Sequence, residues 1–316
     1  MLYFVTPAWN VFPGISRLFD ETVRILGDDV PAQHIYLDTI NRCTADDIVV
    51  FGAWHQAYAV PIRRCKASMK IIEFSSPLLQ QELTQVEATY FTTILSMLDR
   101  NYIQGIWLVD RDNYETFSKV NDNIFYTPHP FDPAPYKMYQ HESTEKSDVA
   151  FFTVFTNRQK NVLTQLAAAR CAQNDLEFKL YVNGLPEQYR QFADMIGLKY
   201  NDLGWLPHDD YHAWLGSMRL LIQVSLSEAF SYVAAESMAL GTPVLMSPVV
   251  ARNMGVALKI FDCSCVSEIA NAISCLLQLP AEQYQEYSEM YQRTIADRAE
   301  QSNKEVRNVF TDLATP

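Results

Sequence analysis

Residues 201–250 read NDLGWLPHDDYHAWLGSMRLLIQVSLSEAFSYVAAESMALGTPVLMSPVV. Within them an apolar run ends near Val224, a short loop follows, and a segment of helical period begins near Phe230. A second apolar run occupies 243–246. Apolar runs without alternation are typical of strands that are buried on both faces of a parallel sheet. The stretch therefore predicts a strand–helix–strand unit of an α/β fold.

The same alternation continues in both directions and forms two blocks. Between them, residues 128–148 contain four prolines and many polar side chains without any period, which is typical of a linker. The sequence thus predicts two Rossmann-like, doubly wound parallel-sheet domains that face each other across a cleft. The predicted boundaries are 1–135 for the first domain, 136–148 for the linker, 149–296 for the second domain, and 297–316 for a final helix that packs back on the first domain.

Composition limits the possible partners. The chain has 316 residues, 48% of them apolar, and a formal net charge of -12. This acidic balance disfavours nucleic acid as a partner, because proteins that bind phosphates of nucleic acids are normally basic. None of the six cysteines falls in a CxxC pair, so we expect free thiols. The absence of a long apolar run and of a signal-like N-terminus favours a cytoplasmic protein. The basic cluster at 63–66 has two interpretations: a solvated helix end, or a surface for peripheral contact with a membrane.

Two glutamates flank the start of the helix that begins near Phe230. Glu228 lies in the preceding loop and Glu236 follows about two helical turns later, so both carboxylates can face one site. Ligands of open α/β sheets bind at the carboxyl ends of strands, where helix N-termini expose N–H groups. The N–H groups of Ala229, Phe230 and Ser231 suit a diphosphate, and carboxylates suit sugar hydroxyls. The alternative is that the glutamates only complement the helix dipole.

The wider pattern resembles a known family. Glu228 and Glu236, followed by SMALGTPV at 237–244, resemble the signature E-G-F-G-x-x-x-x-E-A-M-A-x-G-x-P-V-I of the glycogen-synthase-like retaining glycosyltransferases (group 1 glycosyl transferases, GT-B fold). The DLGWLP segment at 202–207 and the YVNG segment at 181–184 resemble the nucleotide-contacting turn and a strand end of that family. The resemblance extends over about 149–296 and implies a GT-B fold.

The resemblance also implies roles for individual residues. Glu236 would accept hydrogen bonds from the ribose of the donor, and Glu228 would hold hydroxyls of the transferred sugar. Lys160 and Arg158 would neutralise the leaving diphosphate, with a solvated helix start as the alternative for both. The remaining donor-binding residues that the resemblance implies in this domain are Gly184, Gly204, Trp205 and Leu206.

The first domain contributes weaker candidates. Gly14 lies between a predicted strand and a predicted helix, where a glycine is a weak sign of phosphate binding. His55 ends the DIVVFGAWH segment, which resembles the family's D-v-v-h-x-H-G-x-W loop. Two roles are open for His55: a residue near the reacting centre, or a histidine of the core or of a helix start. Asp110-Arg111-Asp112 has the form of a metal-binding D-x-D motif, but a capping aspartate before a helix explains it.

Together these observations predict a retaining glycosyltransferase that moves a hexose or pentose from a nucleotide sugar to a hydroxyl acceptor. The acceptor classes that we consider are a glycan, a lipid-linked glycan and a modified nucleobase. We expect no cofactor and no metal, because the helix N-terminus and Lys160 carry the phosphate charge. The alternatives are a GT-B epimerase or phosphorylase and a non-catalytic sugar-nucleotide-binding protein. The non-catalytic alternative would fit two departures from the family pattern: Ala229 and Ser231 stand in place of glycines, and Phe155 stands in place of an arginine. The donor nucleotide, the acceptor and the oligomeric state stay open.

Overall fold

A computed structural model describes residues 1–7, 13–52, 58–84, 86–142, 146, 148–152, 157–256 and 262–315. The chain divides into two compact units. The first comprises Met1–Phe131 and Ala299–Pro316, and the second comprises Asp132–Arg298.

The first unit is built on a six-stranded parallel sheet in the order β2-β1-β3-β4-β5-β6. Its strands are β1 (Leu2–Thr6), β2 (Ala32–Tyr36), β3 (Ile48–Gly52), β4 (Met69–Phe74), β5 (Gly105–Leu108) and β6 (Ile124–Tyr126). Its helices are α1 (Pro13–Leu26), α2 (Ala59–Arg64), α3 (Leu78–Thr84), α4 (Val86–Asp99) and α5 (Arg111–Phe117), together with a 3-10 helix at Leu37–Arg42. The central strands β3 and β5 are almost fully buried because helices cover both faces of such a sheet.

The second unit is built on a five-stranded parallel sheet in the order β11-β10-β7-β8-β9. Its strands are β7 (Asp148–Phe151), β8 (Leu180–Val182), β9 (Asn201–Asp202), β10 (Met218–Gln223) and β11 (Val244–Met246). Its helices are α6 (Val162–Asp175), α7 (Glu187–Met195), α8 (His208–Ser217), α9 (Tyr232–Ala239), α10 (Pro248–Met254) and α11 (Val266–Leu277). The last helix, α12 (Ala281–Ala314), has residues in both units.

Each sheet has its own hydrophobic core. In the second unit, Val149, Phe151 and Val182 point from β7 and β8 into a cluster with α6 and α11. In the first unit, Phe310 near the end of α12 packs edge-on against Phe4 and Trp107, with ring centroids 5.4 and 5.0 Å apart. Two doubly wound parallel sheets confirm the predicted two-domain Rossmann-like fold class.

The segment predicted as a linker has local structure. The second unit begins at Asp132, and Ala134–Tyr139 form a 3-10 helix that packs on α8 and α9. The helix begins after Pro133, whose fixed φ suits a helix start, and its Tyr136 is buried. Period-based prediction misses so short an element because one turn carries no detectable repeat.

Other differences are local. The helical period over 78–99 agrees with α3 and α4 on either side of residue 85, and α10 is a helix that the sequence pattern does not predict. The final helix, predicted over 297–316, is the second half of α12, which begins at Ala281. The apolar run at 257–261 also predicts a strand, and these residues lie outside the described part of the chain.

Candidate functional site

The loop between β10 and α9 lies at the carboxyl edge of the second sheet. Gln223 ends β10, and Ser231 caps α9 by accepting a hydrogen bond from the N–H of Ala234. The loop is tied to the neighbouring strand connection, because the N–H of Leu226 donates to the carbonyl oxygen of Gln159 at 2.7 Å. This edge is where ligands of parallel α/β sheets bind.

Lys160 and Glu228 form an ion pair at this edge. Lys160 ends the 3-10 turn Arg158–Lys160, and Asn161 stops that turn in the left-handed conformation with φ 54°. Asn161 then fastens the turn, since its amide donates to the carbonyl oxygens of Val224 at 3.2 Å and Cys263 at 2.7 Å. The side chain of Lys160 is 22% exposed and that of Glu228 is 9% exposed, so the pair is largely shielded from water.

Polar neighbours hold Glu228 in place. Its carboxylate accepts hydrogen bonds from Ser225 Oγ at 3.2 Å and from Gln223 Nε2 at 3.4 Å. Its backbone carbonyl accepts a hydrogen bond from Asn253 Nδ2 at 2.6 Å. A buried carboxylate needs such donors, because burying a charge without partners costs several kcal/mol. The set of donors fixes the position of Glu228.

The N-terminus of α9 faces the same loop with unused donors. Within the described residues, the N–H groups of Ala229 and Ser231 donate no hydrogen bond. Phe230 between them is buried, with its ring 5.0 Å from Tyr232 and the Arg298 guanidinium 5.5 Å from its centroid. Unpaired N–H groups and the positive end of the helix dipole make such a place suitable for an anion.

Glu236 lies one turn into α9 and is buried, with 3% exposure. Its Oε1 is 3.5 Å from the hydroxyl of Tyr136 and 3.5 Å from Nε2 of His212. The rings of Tyr136 and His212 are themselves perpendicular, with centroids 4.9 Å apart. The 3-10 helix of Ala134–Tyr139 and α8 therefore cover this carboxylate.

Two glycine turns lie farther along the edge, after β8 and β9. Gly184 and Gly204 have φ of 79° and 63°, which only glycine adopts without strain. Asp202 joins the turns, because its Oδ1 accepts the N–H groups of Gly184 and Gly204, both at 3.0 Å. Trp205 follows and is 79% exposed, and Leu206 is partly exposed.

Three further predicted residues are Arg158, in the same 3-10 turn as Lys160, Gly14 and His55. Arg158 is exposed, and its side chain makes no hydrogen bond or ion pair with any described residue. Gly14 lies in the first turn of α1, in the first unit, and His55 lies outside the described residues. The capping interpretation of Asp110 is confirmed, since its Oδ1 accepts the N–H of Asn113 at 2.9 Å at the start of α5.

Sequence reasoning missed several residues that shape the site. Asp202, Asn161 and Asn253 act through hydrogen bonds to distant backbone groups, which no local pattern reveals. His212 and Tyr136 reach Glu236 from elements separated along the chain. Only Asp202 had a local signal, because an aspartate two residues before a glycine commonly accepts that glycine's N–H.

A buried lysine holds the other end of α9. Lys146 is 3% exposed, and its Nζ donates to the carbonyl oxygens of Leu240 and Gly241 at 3.2 and 2.8 Å and to Thr242 Oγ1 at 3.1 Å. A cation at a helix C-terminus is favourable to the helix dipole. Burial nevertheless lowers the pKa of Lys146 to about 8.

This shifted pKa predicts a pH dependence of stability. The pKa of an unfolded lysine is about 10.4, so between pH 8 and that value the unfolded chain binds the proton more tightly than the folded chain. The free energy of unfolding that this group contributes therefore rises as the pH increases through that window. We expect the free energy of unfolding of the wild type, relative to that of Lys146→Met, to increase by about 2 kcal/mol from pH 7 to pH 10. Urea unfolding measures both values. A constant difference would contradict the assignment.

Among the described residues, no group of three or more His, Cys, Asp or Glu side chains is arranged to hold a metal ion. In the same part of the chain, no helix is both long and apolar enough to cross a membrane.

Known structures resemble the whole chain. HepE from Anabaena, solved with UDP and glucose, superposes with a TM-score of 0.74 and 12% identity over 98% of this chain and 99% of its own. A glycosyltransferase from Rickettsia africae superposes with a TM-score of 0.67 and 12% identity over 99% of this chain and 98% of its own. TarM from S. aureus, solved with UDP and α-GlcNAc-glycerol, gives a TM-score of 0.66 and 12% identity over 86% of this chain, which spans only 56% of TarM. No curated protein matches the sequence.

The two parallel α/β sheets and the solved structures that superpose on the chain define a GT-B fold. Residues 146–279 match the family described as Glycosyl transferases group 1. The resemblance inferred from the sequence is therefore confirmed for this part of the chain.

Proposed function

We propose that this protein is a retaining glycosyltransferase whose nucleotide-sugar donor lies along the carboxyl edge of the second sheet. The observation that carries the proposal is the ion pair of Lys160 and Glu228 beside the unused N–H groups of Ala229 and Ser231. A cation and two backbone donors suit a diphosphate, and the adjoining carboxylate suits sugar hydroxyls. Membership of residues 146–279 in the group 1 family supports the same reading, as do UDP complexes of similarly folded proteins.

The ion pair prepares both partners for the donor. Without a ligand, Glu228 supplies the negative charge that Lys160 needs in a shielded position. When a diphosphate binds, it replaces that charge, so the ammonium of Lys160 turns to the phosphate and Glu228 becomes free to accept sugar hydroxyls. The ammonium and the N–H groups then stand where charge develops as the diphosphate leaves.

The proposed reaction needs no protein nucleophile. The oxygen of the acceptor hydroxyl forms a bond to the anomeric carbon on the face from which the diphosphate departs, as the bond from that carbon to the phosphate oxygen breaks. The proton of the hydroxyl passes to the departing phosphate oxygen, so the anomeric configuration is retained. No metal and no cofactor take part in this scheme, and the transferred group is a hexose or pentose. A cytoplasmic location belongs to the proposal and is supported by six cysteines that form no disulfide.

Donor binding tests the assignment of Glu236. We expect calorimetry with UDP, GDP, ADP and CDP to find one nucleoside diphosphate that binds the wild type clearly more tightly than the others. Glu236→Gln should raise the Kd of that nucleotide by about tenfold or more, since a hydrogen bond to a charged group contributes roughly 1.5–3 kcal/mol. Glu282→Gln, at an exposed position in the first turn of α12, serves as the control and should leave the Kd unchanged.

Three outcomes would remove the proposal. If none of the four nucleotides binds, the site is not a nucleotide site. If one binds and no acceptor mixture yields a glycosylated product by mass spectrometry, the non-catalytic alternative replaces transfer. If the donor is isomerised in the absence of an acceptor, the protein is an epimerase instead.

A further inference from the structure

Asn183 is an unexplained buried amide at the edge of the second sheet. It is the first residue past the carboxyl end of β8, and it is 5% exposed. Its Oδ1 is buried and has no hydrogen-bond partner among the described residues. Leaving a buried polar atom unpaired costs about 1–3 kcal/mol, so native structures seldom keep one without a reason.

The backbone around this amide is held firmly. The carboxylate of Asp202 accepts the N–H groups of Gly184 and Gly204 at 3.0 Å and of Leu185 at 3.1 Å. Arg190 Nη2 lies 3.4 Å from the same carboxylate and donates to the carbonyl oxygen of Leu185 at 3.1 Å. Four donors on one carboxylate leave the turn little freedom to relax and satisfy Asn183, so the unpaired amide is part of a built structure.

The position of Asn183 along the edge indicates what it contacts. The strand order places β7 beside β10 and β8 beside β7. Since neighbouring strands are about 4.8 Å apart, Asn183 lies about 10 Å along the edge from the loop that carries Glu228. A donor whose diphosphate occupies that loop would extend its nucleoside toward β8 and β9.

The chemistry of the amide suits a nucleobase. A carboxamide presents one acceptor and one NH₂ donor in a plane, which matches the adjacent donor and acceptor groups on a base edge. Rotation about the Cβ–Cγ bond exchanges the two atoms, so either can face the ligand. Trp205, which is 79% exposed just past Gly204, offers an indole face on which a base can stack.

We propose that Asn183 reads the hydrogen-bonding edge of the donor's nucleobase and sets the nucleotide preference of the enzyme. This inference rests on the proposed function, because it needs the diphosphate to occupy the loop of Glu228. Asp202 acts as a positioning residue that holds the turns of Gly184 and Gly204 near Asn183.

The test compares nucleotide preferences by calorimetry with UDP, GDP, ADP, CDP and inorganic pyrophosphate. Asn183→Leu should raise the Kd of the preferred nucleotide by about tenfold and bring the four Kd values within about threefold of one another, because a good base contact is worth about 1–3 kcal/mol. The Kd of pyrophosphate should stay unchanged. Asn201→Leu, which removes an exposed amide from β9, should keep the wild-type preference.

A second variant distinguishes recognition of the nucleobase by Asn183 from an effect of Asn183 on packing. Asn183→Asp keeps the size and the acceptor but replaces the donor, so the preference among the four nucleotides should change in order. An unaltered preference in both Asn183 variants would overturn the inference while leaving the proposed function in place. An equal loss of pyrophosphate and nucleotide affinity would also overturn it, because that result indicates a disturbed fold. Failure of the wild type to bind any of the four nucleotides would instead refute the proposed function.

Discussion

Replacing Lys160 by methionine is expected to lower kcat for sugar transfer by about two to three orders of magnitude. Removing one preorganised donor from a site of developing negative charge has an effect of about 10²–10³ in comparable enzymes. The ammonium of Lys160 is largely shielded and has one carboxylate partner, Glu228, so its field acts over a short distance in a medium of low dielectric. Release of the nucleoside diphosphate, measured with the donor found in the binding panel, gives the rate.

Two further variants serve as controls for this prediction. Lys179→Met removes a lysine whose side chain is 69% exposed at the opposite end of the sheet, and it should retain the wild-type rate. Lys160→Arg keeps the charge and should recover part of the activity. Because Lys160→Met leaves Glu228 without its cation, the fold must be checked by thermal unfolding. A folded Lys160→Met variant with a rate within a factor of three of wild type would contradict the proposed mechanism.

The second large effect is expected from Gly216→Ala in α8. A Cβ at this glycine would overlap the carbonyl oxygen of Tyr139, which ends the 3-10 helix of Ala134–Tyr139. Alanine is favoured over glycine in a helix by about 1 kcal/mol, but overlap with a backbone atom cannot be relieved by rotating a side chain. We therefore expect a net loss of about 2–3 kcal/mol in the free energy of unfolding, measured by urea unfolding.

This variant should also affect the site. The displaced 3-10 helix carries Tyr136, whose hydroxyl lies 3.5 Å from Glu236. We expect the Kd of the preferred nucleotide to rise together with the loss of stability. Gly14→Ala, in the first turn of α1 with open space around the added Cβ, is the stability control and should leave the free energy of unfolding unchanged or slightly higher. Equal free energies of unfolding for Gly216→Ala and the wild type would contradict this prediction, because they would show that the 3-10 helix moves away from the added Cβ at little energetic cost.

Much of the architecture follows from local patterns. Short apolar runs such as IVVFG in β3 and LLI in β10 belong to strands buried on both faces, and their shortness and β-branched residues distinguish them from helices. The spacing of Glu228 and Glu236 placed both residues correctly around the start of α9. Short elements escaped prediction, as the 3-10 helix of Ala134–Tyr139 shows, because a single turn is stabilised by what it packs against.

The amino-acid order alone determined the two parallel α/β domains and the resemblance of the second one to the group 1 glycosyl transferases, because strand and helix periods and a spaced motif are properties of neighbours along the chain. Tertiary structure decided which groups meet: Lys160 with Glu228 over 68 positions, Asp202 with two glycine turns, and Tyr136 with Glu236 over 100 positions. Such pairs depend on the order of the strands and on the packing of the helices. Hydrogen bonds and ion pairs act through space, and sequence distance carries no information about them until the sheet is assembled.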